Sequence, residues 1–271
     1  MTVLILYFSG TGNTRRVAEE FKVRLEERKF TVILHSMEEH ADLTKLSYDF
    51  LIVGMPKYYE YPLLPAIRYL KHNLPKSEHT VPALAFCTQA GTLKTDFTGL
   101  EKLLRKKNHR LTVEASMPYA NNLLIFGAFR PTEPTELLKN REDIRGQVGP
   151  LLDAFLSGAV LKEQTKAWQK PLIYLVAASC TKLMPAVAMR FSADDTCTGC
   201  GLCARQCPVK NIQMNGGRPE FRRRCLFCTR CINSCPANAI RYSGKKCPQY
   251  RCGPSLRAEG EQVRPECSEE E

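Results

Sequence analysis

Residues 197–208 read CTGCGLCARQCP, and residues 225–236 repeat the same spacing as CLFCTRCINSCP, 28 positions further along the chain. Each run has the form C-x2-C-x2-C-x3-C-P. Three thiols at two-residue intervals predict a short loop around three corners of an iron–sulfur cube. The proline then turns the chain away, because it fixes φ and removes an amide donor. The two runs together predict two [4Fe–4S] clusters and, through them, electron transfer.

The fourth cysteine of each run is predicted to bind the other cluster, since one continuous loop cannot surround a cube. One predicted ligand set is Cys197, Cys200, Cys203 and Cys235, and the other is Cys225, Cys228, Cys231 and Cys207. The residues after the two prolines also match, with 209–212 (VKNI) corresponding to 237–240 (ANAI). This match indicates a pseudo-twofold repeat in which Ile212 and Ile240 pack near the clusters.

Two other uses of cysteine are less compatible with this pattern. Zinc knuckles also contain CxxC pairs, but a longer stretch usually separates their pairs. Disulfides are not expected, because Met1 leads directly into a strand-like run without a signal peptide, which favours a reducing cytoplasm for the thirteen cysteines. Five cysteines outside the runs match no ligand pattern and are interpreted as ordinary thiols: Cys87, Cys180, Cys247, Cys252 and Cys267.

The net charge of +11 is unevenly distributed. Residues 190–246 contain eleven Lys and Arg against three Asp and Glu, whereas residues 253–271 contain two Arg against six Glu. Arg222, Arg223 and Arg224 directly precede the second cysteine run. The default interpretation is a solvated basic face that partly offsets the charge of the anionic clusters. Basic residues there would also raise the reduction potentials of the clusters and steer redox partner proteins of acidic character. No nucleic-acid recognition motif accompanies the charge, so no nucleic-acid partner is predicted.

The N-terminus predicts an anion site built from a strand, a loop and a helix. Residues 2–8 (TVLILYF) have the apolar pattern of a buried parallel strand, residues 9–14 (SGTGNT) form a loop of small residues, and residues 15–28 have a helical pattern. Backbone amides and the helix dipole then face an anion, with hydroxyl groups as further donors. The loop lacks the lysine of a P-loop, and Arg15 stands where a dinucleotide fingerprint requires glycine. A terminal phosphate monoester therefore fits best.

The following elements alternate as in an α/β fold. Strands are predicted at 2–8, 31–36, 50–55, 81–87 and 111–117, and helices at 15–28, 63–74, 97–107 and 135–156. This rhythm fits a flavodoxin-like, doubly wound parallel sheet of five strands in the order 2-1-3-4-5, followed by a small α+β domain with the two clusters. Such a sheet binds its ligand beyond the carboxyl ends of the strands. The loops at those ends are residues 9–14, 54–61 and 88–92.

The loop after the third strand contains three tyrosines within four residues. Tyr58 is predicted to stack on a flat heteroaromatic ring, with Tyr59 or Tyr61 as substitutes. Lys57 would stabilise negative charge on that ring after reduction, because charge near the ring tunes its potential. The loop after the fourth strand supplies small residues where backbone must approach the edge of the ring.

These loops and the double cysteine run resemble the ferrodoxins of anaerobic bacteria, in which a flavodoxin-like domain is fused to a two-cluster ferredoxin. The resemblance spans roughly residues 1–245. It implies FMN bound at Ser9, Thr11, Gly12, Asn13 and Thr14, with the isoalloxazine between Pro56, Lys57 and Tyr58 on one side and Thr88, Gln89, Ala90 and Gly91 on the other. It also implies that residues 117–122 (MPYANN) border the flavin. The basic ferredoxin half and the Glu-rich tail depart from the family pattern.

The expected organisation is a flavodoxin-like FMN-binding domain at 1–160, an apolar connector at 161–189, a ferredoxin domain at 190–246 and an acidic, disordered tail at 247–271. Within the connector, residues 172–189 are largely apolar over a length that just reaches a membrane span. Lys182 and Pro185 argue against a span, so a helical or hinged connector is predicted, with Trp168 beside it.

The predicted function is an electron carrier that relays electrons between FMN and two [4Fe–4S] clusters in the cytoplasm of an anaerobe. One alternative is a flavin-dependent reductase of a small substrate that its own clusters supply with electrons. Its proton donor would be Tyr58, Tyr59 or His109, chosen by residue type alone. The other alternative is a redox-sensing protein whose clusters and basic face hold an acidic partner.

Overall fold

A computed structural model describes residues 1–39, 41–91, 93–125 and 132–250. The chain divides into two units: Met1–Tyr119 with Leu138–Ala177, and Ala120–Leu137 with Ala178–Glu271. Each unit has its own sheets and its own buried residues. Thr92 and the tail from residue 251, which includes Cys252 and Cys267, lie outside the described residues.

The first unit contains a twisted sheet whose long strands are all parallel. Its strands are β1 (Thr2–Tyr7), β2 (Thr31–Ser36), β3 (Phe50–Tyr58), β4 (Tyr61–Pro62), β5 (Val81–Gln89) and β6 (His109–Pro118). The order is β2-β1-β3-β5-β6, and the two-residue β4 pairs antiparallel with β3. Without β4 this is the order 2-1-3-4-5, which confirms the predicted flavodoxin-like fold.

Helices cover both faces of this sheet, as its apolar strands require. They are α1 (Asn13–Glu27), α2 (Leu64–Asn73), α3 (Thr98–Lys106) and α4 (Pro134–Leu156), and the largely exposed α5 (Gln169–Val187) follows them in the chain. The side chains at the centre of β1, from Val3 to Leu6, are completely buried. The apolar face of α1 packs on the same sheet, where Phe21 stacks on Phe86 with 5.2 Å between ring centroids.

At the carboxyl ends of the parallel strands, where a ligand is expected, the strands extend further than predicted. β3 continues past Met55 to Tyr58 and turns back at once through Tyr59 and Glu60, both with positive φ. The turn is closed because Tyr58 pairs with Tyr61 of β4. The predicted open loop at 54–61 is therefore largely strand and hairpin, which fixes its tyrosines more rigidly than a free loop would.

Residues of the expected connector add to the outer edge of the sheet. Leu161 forms a parallel bridge with Val113 of β6, and its carbonyl accepts a hydrogen bond from the Glu114 amide at 2.8 Å. The ammonium of Lys162 lies 2.8 Å from Glu101 and 2.9 Å from Glu114. This segment therefore belongs to the packing of the first unit.

α5 begins in the first unit and ends in the second. Gln169–Arg190 is long and apolar enough to cross a membrane by length and composition, and it is the only such helix in the described part of the chain. An 18-residue stretch of this helix has a mean hydropathy of 1.6, and only 11% of the stretch is buried. The helix contains Lys182 and Pro185. Within the first unit, Tyr174 of α5 packs edge-on against Tyr61 at 5.6 Å.

The second unit is small and consists of short elements. Its strands are β7 (Phe191–Ala193), β8 (Ile212–Asn215), β9 (Arg218–Phe221), β10 (Ile240–Tyr242) and β11 (Lys245–Lys246), and its helices are α6 (Leu202–Arg205) and α7 (Arg230–Asn233). β8 pairs with β9, and β10 pairs with β7 and β11. One apolar cluster centred on Phe191, Phe227 and Ile240 forms its core.

The first four residues of the expected tail take part in this core. Cys247 and Tyr250 are buried, at 2% and 4% exposure. The side-chain amide of Gln249 donates to the carbonyls of Ile232 and Cys235, both at 2.7 Å. Residues 247–250, which composition assigned to the tail, therefore pack within the second unit.

Candidate functional site

Two cavities in the second unit are each surrounded by four cysteines. The first cavity is lined by Cys197, Cys200, Cys203 and Cys235. The second cavity is lined by Cys225, Cys228, Cys231 and Cys207. The fourth cysteine of each run thus lies at the cavity of the other run, in the grouping that the spacing predicted. All described cysteines are free thiols.

Backbone amides point at several of these sulfurs. The amide of Asn211 donates to Sγ of Cys207 at 3.1 Å, and the amide of Ala239 donates to Sγ of Cys235 at 3.3 Å. Such N–H groups stabilise thiolate character and raise the potential of a bound cluster. The free thiols and aligned amides fit a [4Fe–4S] cube in each cavity.

Burial differs strongly among the thiols. Burial raises the pKa of Cys225 to about 12 and raises the pKa of Cys231 well above the ordinary thiol value. The pKa of the exposed Cys200 is lowered instead, mainly by a hydrogen bond from the Leu202 amide. Since iron binds the thiolate, the metal itself must compete with the proton at the buried positions.

Among the described residues, no three His, Cys, Asp or Glu side chains are arranged to hold a single metal ion. A single zinc ion requires its ligands to converge on one point at about 2.3 Å. A cube instead spreads four ligands over four irons. Four cysteines around one cavity are therefore compatible with this finding.

In the first unit, the loop after β1 leads into α1 as predicted. Ser9, Asn13 and Thr14 are buried, and Gly12 has φ of 104°, a left-handed conformation that glycine adopts readily. α1 has no side-chain cap and no acidic residue in its first turn. Its N-terminal amides and dipole therefore suit an anion, and the Thr11 hydroxyl belongs to the same loop.

The end of β5 is joined to this loop through two hydroxyls. Oγ1 of Thr14 lies 2.7 Å from Oγ1 of Thr88. The next side chain, Gln89, folds back and donates to the carbonyls of Gly91 and Leu93, both at 2.8 Å. Gln89 therefore orders the loop that contains the exposed Ala90.

The hairpin from β3 to β4 presents Pro56, Tyr58 and Tyr59 as half-buried residues. Tyr61 has a different role, because it is buried at 3% exposure and burial raises its pKa to about 12. Tyr61 therefore packs in the core and is not available to stack on a ring in place of Tyr58.

Lys57 connects the two loops at this edge of the sheet. Its side chain is only 4% exposed, and its ammonium lies 2.6 Å from Glu60 and 2.9 Å from the Leu93 carbonyl. The sequence predicted a charge near the ring at this position. The structure adds that the lysine holds the hairpin and the loop after β5 together.

His109 lies at the opposite edge. It is the first residue of β6, is buried at 1% exposure, and its Nε2 is 2.9 Å from the Tyr48 hydroxyl. Burial lowers its pKa. Its place at the amino end of a parallel strand makes it unsuitable as a proton donor for a ligand at the carboxyl ends.

The segment after β6 divides between the units. The Tyr119 amide donates to the Gln89 carbonyl at 2.7 Å, whereas Ala120 begins the second unit. Within the second unit, the Asn122 carbonyl lies 3.3 Å from Oγ1 of Thr229, and Leu123 packs against the apolar core.

Residues 196–240, which contain the cysteines of both cavities, match the family model of a 4Fe-4S dicluster domain. This chain joins a flavodoxin-like fold to a 4Fe-4S dicluster domain. The dicluster domain includes all eight cysteines of both cavities. A search of curated proteins found no match.

Solved structures similar to the chain include flavodoxins. A flavodoxin from the domain Archaea is 18% identical with a TM-score of 0.37, covering 55% of this chain and 99% of that one. Flavodoxin 2 from Bacillus cereus is 17% identical with a TM-score of 0.37, covering 57% and 100%. Rubredoxin oxygen:oxidoreductase from Desulfovibrio gigas is 15% identical with a TM-score of 0.38, covering 58% and 36%. The strand order β2-β1-β3-β5-β6 is by itself that of a flavodoxin-like sheet.

Sequence reasoning missed two residues of the dicluster domain. Asn211 and Thr229 both line the second cavity and are buried at 1% and 4% exposure. Their partners at an offset of 28 are Ala239 and Gly201, which line the first cavity. The repeat itself contained a signal for these two residues. At equivalent positions of the two halves, one half has a polar residue and the other has a small one, which indicates a difference between the two sites.

Proposed function

We propose that this protein carries electrons between an FMN in the flavodoxin-like unit and two [4Fe–4S] clusters in the dicluster domain. The observation that supports the proposal is the pair of four-cysteine cavities on the same chain as a strand, a loop of small residues and a helix that begins at Asn13. FMN, when bound, exchanges one or two electrons, whereas each cluster exchanges one. The protein contributes binding, orientation and tuning.

Residues of the first unit would hold the flavin through its two ends. The hydroxyls of Ser9, Thr11 and Thr14 and the amides that begin α1 would bind the phosphate. Tyr58 would stack on the ring, and the loop ordered by Gln89 would offer backbone groups at the ring edge. This division of roles fits the burial of Ser9, Asn13 and Thr14 in the loop and the half-buried hairpin.

Residues of the dicluster domain would present a basic surface to a redox partner. Arg222, Arg223 and Arg224 are all exposed immediately before Cys225. Asn211 holds their backbone, since its carbonyl accepts from Arg222 and its Oδ1 accepts from Arg224. An acidic redox protein is the partner that this surface would steer. The free thiols fit a reducing compartment such as the cytoplasm.

Anaerobic purification followed by iron, sulfide and flavin quantitation tests the central proposal. We expect about eight irons, about eight sulfides and one FMN per chain, as two cubes and one flavin require. A reductive titration should then resolve three centres. Stoichiometric zinc in place of iron would contradict the proposal, and full iron without flavin would restrict it to the dicluster domain.

The flavin part is tested separately with Thr11→Ala. Loss of one hydrogen bond to a phosphate costs about 1.5–3 kcal/mol, so FMN binding should weaken about tenfold or more. Thr31→Ala is the matched control, because Thr31 is exposed at the amino end of β2. Fluorescence titration of the flavin-free protein with FMN measures both. Equal affinities in the two variants would argue against the proposed phosphate loop.

The partner surface is tested by reversing the charge of Arg222, Arg223 and Arg224 together. Electron transfer with an acidic ferredoxin should slow by at least tenfold at low salt and lose most of its salt dependence. The control reverses Lys245 and Lys246, which are exposed on β11 of the same unit. If both variants slow equally, net charge rather than this surface controls the rate.

A further inference from the structure

The two cavities are built from matching backbone positions. Ala239 lines the first cavity and Asn211 lines the second, 28 positions apart. Each donates its backbone amide to the remote cysteine of its cavity, Cys235 and Cys207 respectively. The backbone contact is therefore the same, and the side chains differ: a methyl group in one cavity and an amide in the other.

The orientation of the Asn211 amide follows from its neighbours. Its Oδ1 accepts a hydrogen bond from the Arg224 backbone amide at 2.6 Å. Because a backbone N–H needs an acceptor, this contact places the oxygen toward Arg224 and the nitrogen on the opposite side. Reversing the amide would bring two donors together.

Nδ2 of Asn211 is then a buried donor without a partner. The side chain is 1% exposed, and Nδ2 has no hydrogen-bond partner within the described residues. Buried polar groups are nearly always satisfied, and an unsatisfied donor loses its full hydration. In a residue that lines the second cavity, the missing acceptor is expected from the occupant of that cavity.

We propose that Nδ2 of Asn211 donates a hydrogen bond to a sulfur of the cluster in the second cavity. This inference rests on the proposed pair of clusters. A cluster gains one negative charge when it takes up an electron from a one-electron donor, so an N–H···S hydrogen bond strengthens on reduction. Asn211 therefore raises the potential of the second cluster, and Ala239 gives the first cluster no such donor.

The test is an anaerobic redox titration followed by electron paramagnetic resonance, with dithionite as the reductant. Asn211→Ala should lower one of the two cluster potentials and leave the other unchanged. The reduced-to-oxidised ratio of that cluster at a fixed potential should fall about tenfold, or about 59 mV for one electron. The control is Asn215→Ala, an exposed asparagine of β8 that lines neither cavity.

A reciprocal variant keeps the test specific. Ala239→Asn should raise the other cluster potential, because it places a similar donor at the first cavity. Unchanged potentials in Asn211→Ala at full iron content would overturn the proposal, as would equal shifts of both clusters. Absence of clusters from the unsubstituted protein would instead refute the proposed function itself.

If Asn211→Ala fails to assemble its second cluster, a second measurement replaces it. Protein labelled with ¹⁵N only in the side-chain amide of asparagine should show a nitrogen hyperfine coupling to a reduced cluster. Asn211→Asp keeps the oxygen that accepts from Arg224 and removes Nδ2, so the coupling should disappear. A coupling that persists in Asn211→Asp would overturn the proposal.

Discussion

Gly199 and Gly201 beside the first cavity correspond, at an offset of 28, to Phe227 and Thr229 beside the second. All four have left-handed backbones, with φ of 70° and 72° in the first pair and 61° and 57° in the second. Glycine adopts this conformation freely, whereas phenylalanine and threonine are strained by about 1–3 kcal/mol each. The spacing of the ligands therefore imposes one backbone on both loops, whatever residues they contain.

The second loop offsets its strain through side-chain contacts. Phe227 packs in the apolar core, 5.6 Å from Phe191 and 5.9 Å from Tyr242 between ring centroids. The hydroxyl of Thr229 donates to the Cys228 carbonyl at 2.8 Å and accepts from Nδ2 of Asn233 at 3.1 Å. The first loop has no room for such side chains at one position, since a Cβ on Gly199 would lie 2.9 Å from the Gly217 carbonyl.

This difference shows how one repeat can give two unequal redox centres. The first cavity has an exposed thiol at Cys200, and the second has a buried thiol at Cys228. Exposure, hydrogen bonding and local charge all set cluster potentials. We therefore expect the two clusters to differ in potential although their ligand loops share a backbone.

Removal of a remote cysteine gives the largest expected effect and tests the grouping itself. Cys207→Ala should remove the same cluster as Cys225→Ala, with iron falling from about eight to about four per chain. Cys235→Ala should remove the cluster that Cys197→Ala removes. Iron analysis with low-temperature electron paramagnetic resonance identifies the remaining cluster. Matching spectra for Cys207→Ala and Cys197→Ala would disprove the crossed arrangement.

Gly199→Ala should have the next largest effect. The added Cβ would meet the Gly217 carbonyl and also sit at positive φ, so the second unit should lose about 1–3 kcal/mol of unfolding free energy. Gly244→Ala is the matched control, because Gly244 has φ of 74° and open space around it. Denaturation followed by cluster absorbance measures both. A smaller loss for Gly199→Ala than for Gly244→Ala would contradict the steric explanation.

Thr229→Val should have the smallest effect of the three. It keeps the branched shape and removes the hydroxyl contacts, which are worth about 1 kcal/mol to the second unit. Thr229→Ser restores the hydroxyl and should recover most of that loss. The same denaturation experiment measures both variants. Equal stability of Thr229→Val and the unsubstituted protein would show that packing alone holds this loop.

The fold was predictable because its signals are local. The apolar run at β1 and the alternation of elements sufficed for the strand order, and the cysteine spacing sufficed for the dicluster domain. The end of β3 was not predictable, since it depends on pairing between Tyr58 and Tyr61 across a turn without glycine. Local patterns contain no signal for such a turn.

The candidate sites were predictable to a smaller extent. The flavin contacts remain predictions, but the structure shows that Gln89 and Lys57 order the loops in which they lie. Burial of Tyr61 against Tyr174 joins residues far apart in sequence, so tertiary packing decides it. The role of Asn211 required both the repeat and a buried amide whose orientation only the fold reveals.

The division of the chain also determines how the protein can be cut. Ala120–Leu137 is part of the second unit although the first unit supplies the chain on both sides of it. The polypeptide therefore passes between the units three times, after residues 119, 137 and 177. A fragment ending at residue 160 would expose Leu123 and Ile125 without the core they cover. The segments of the two units therefore alternate along the chain, and neither unit corresponds to one continuous segment.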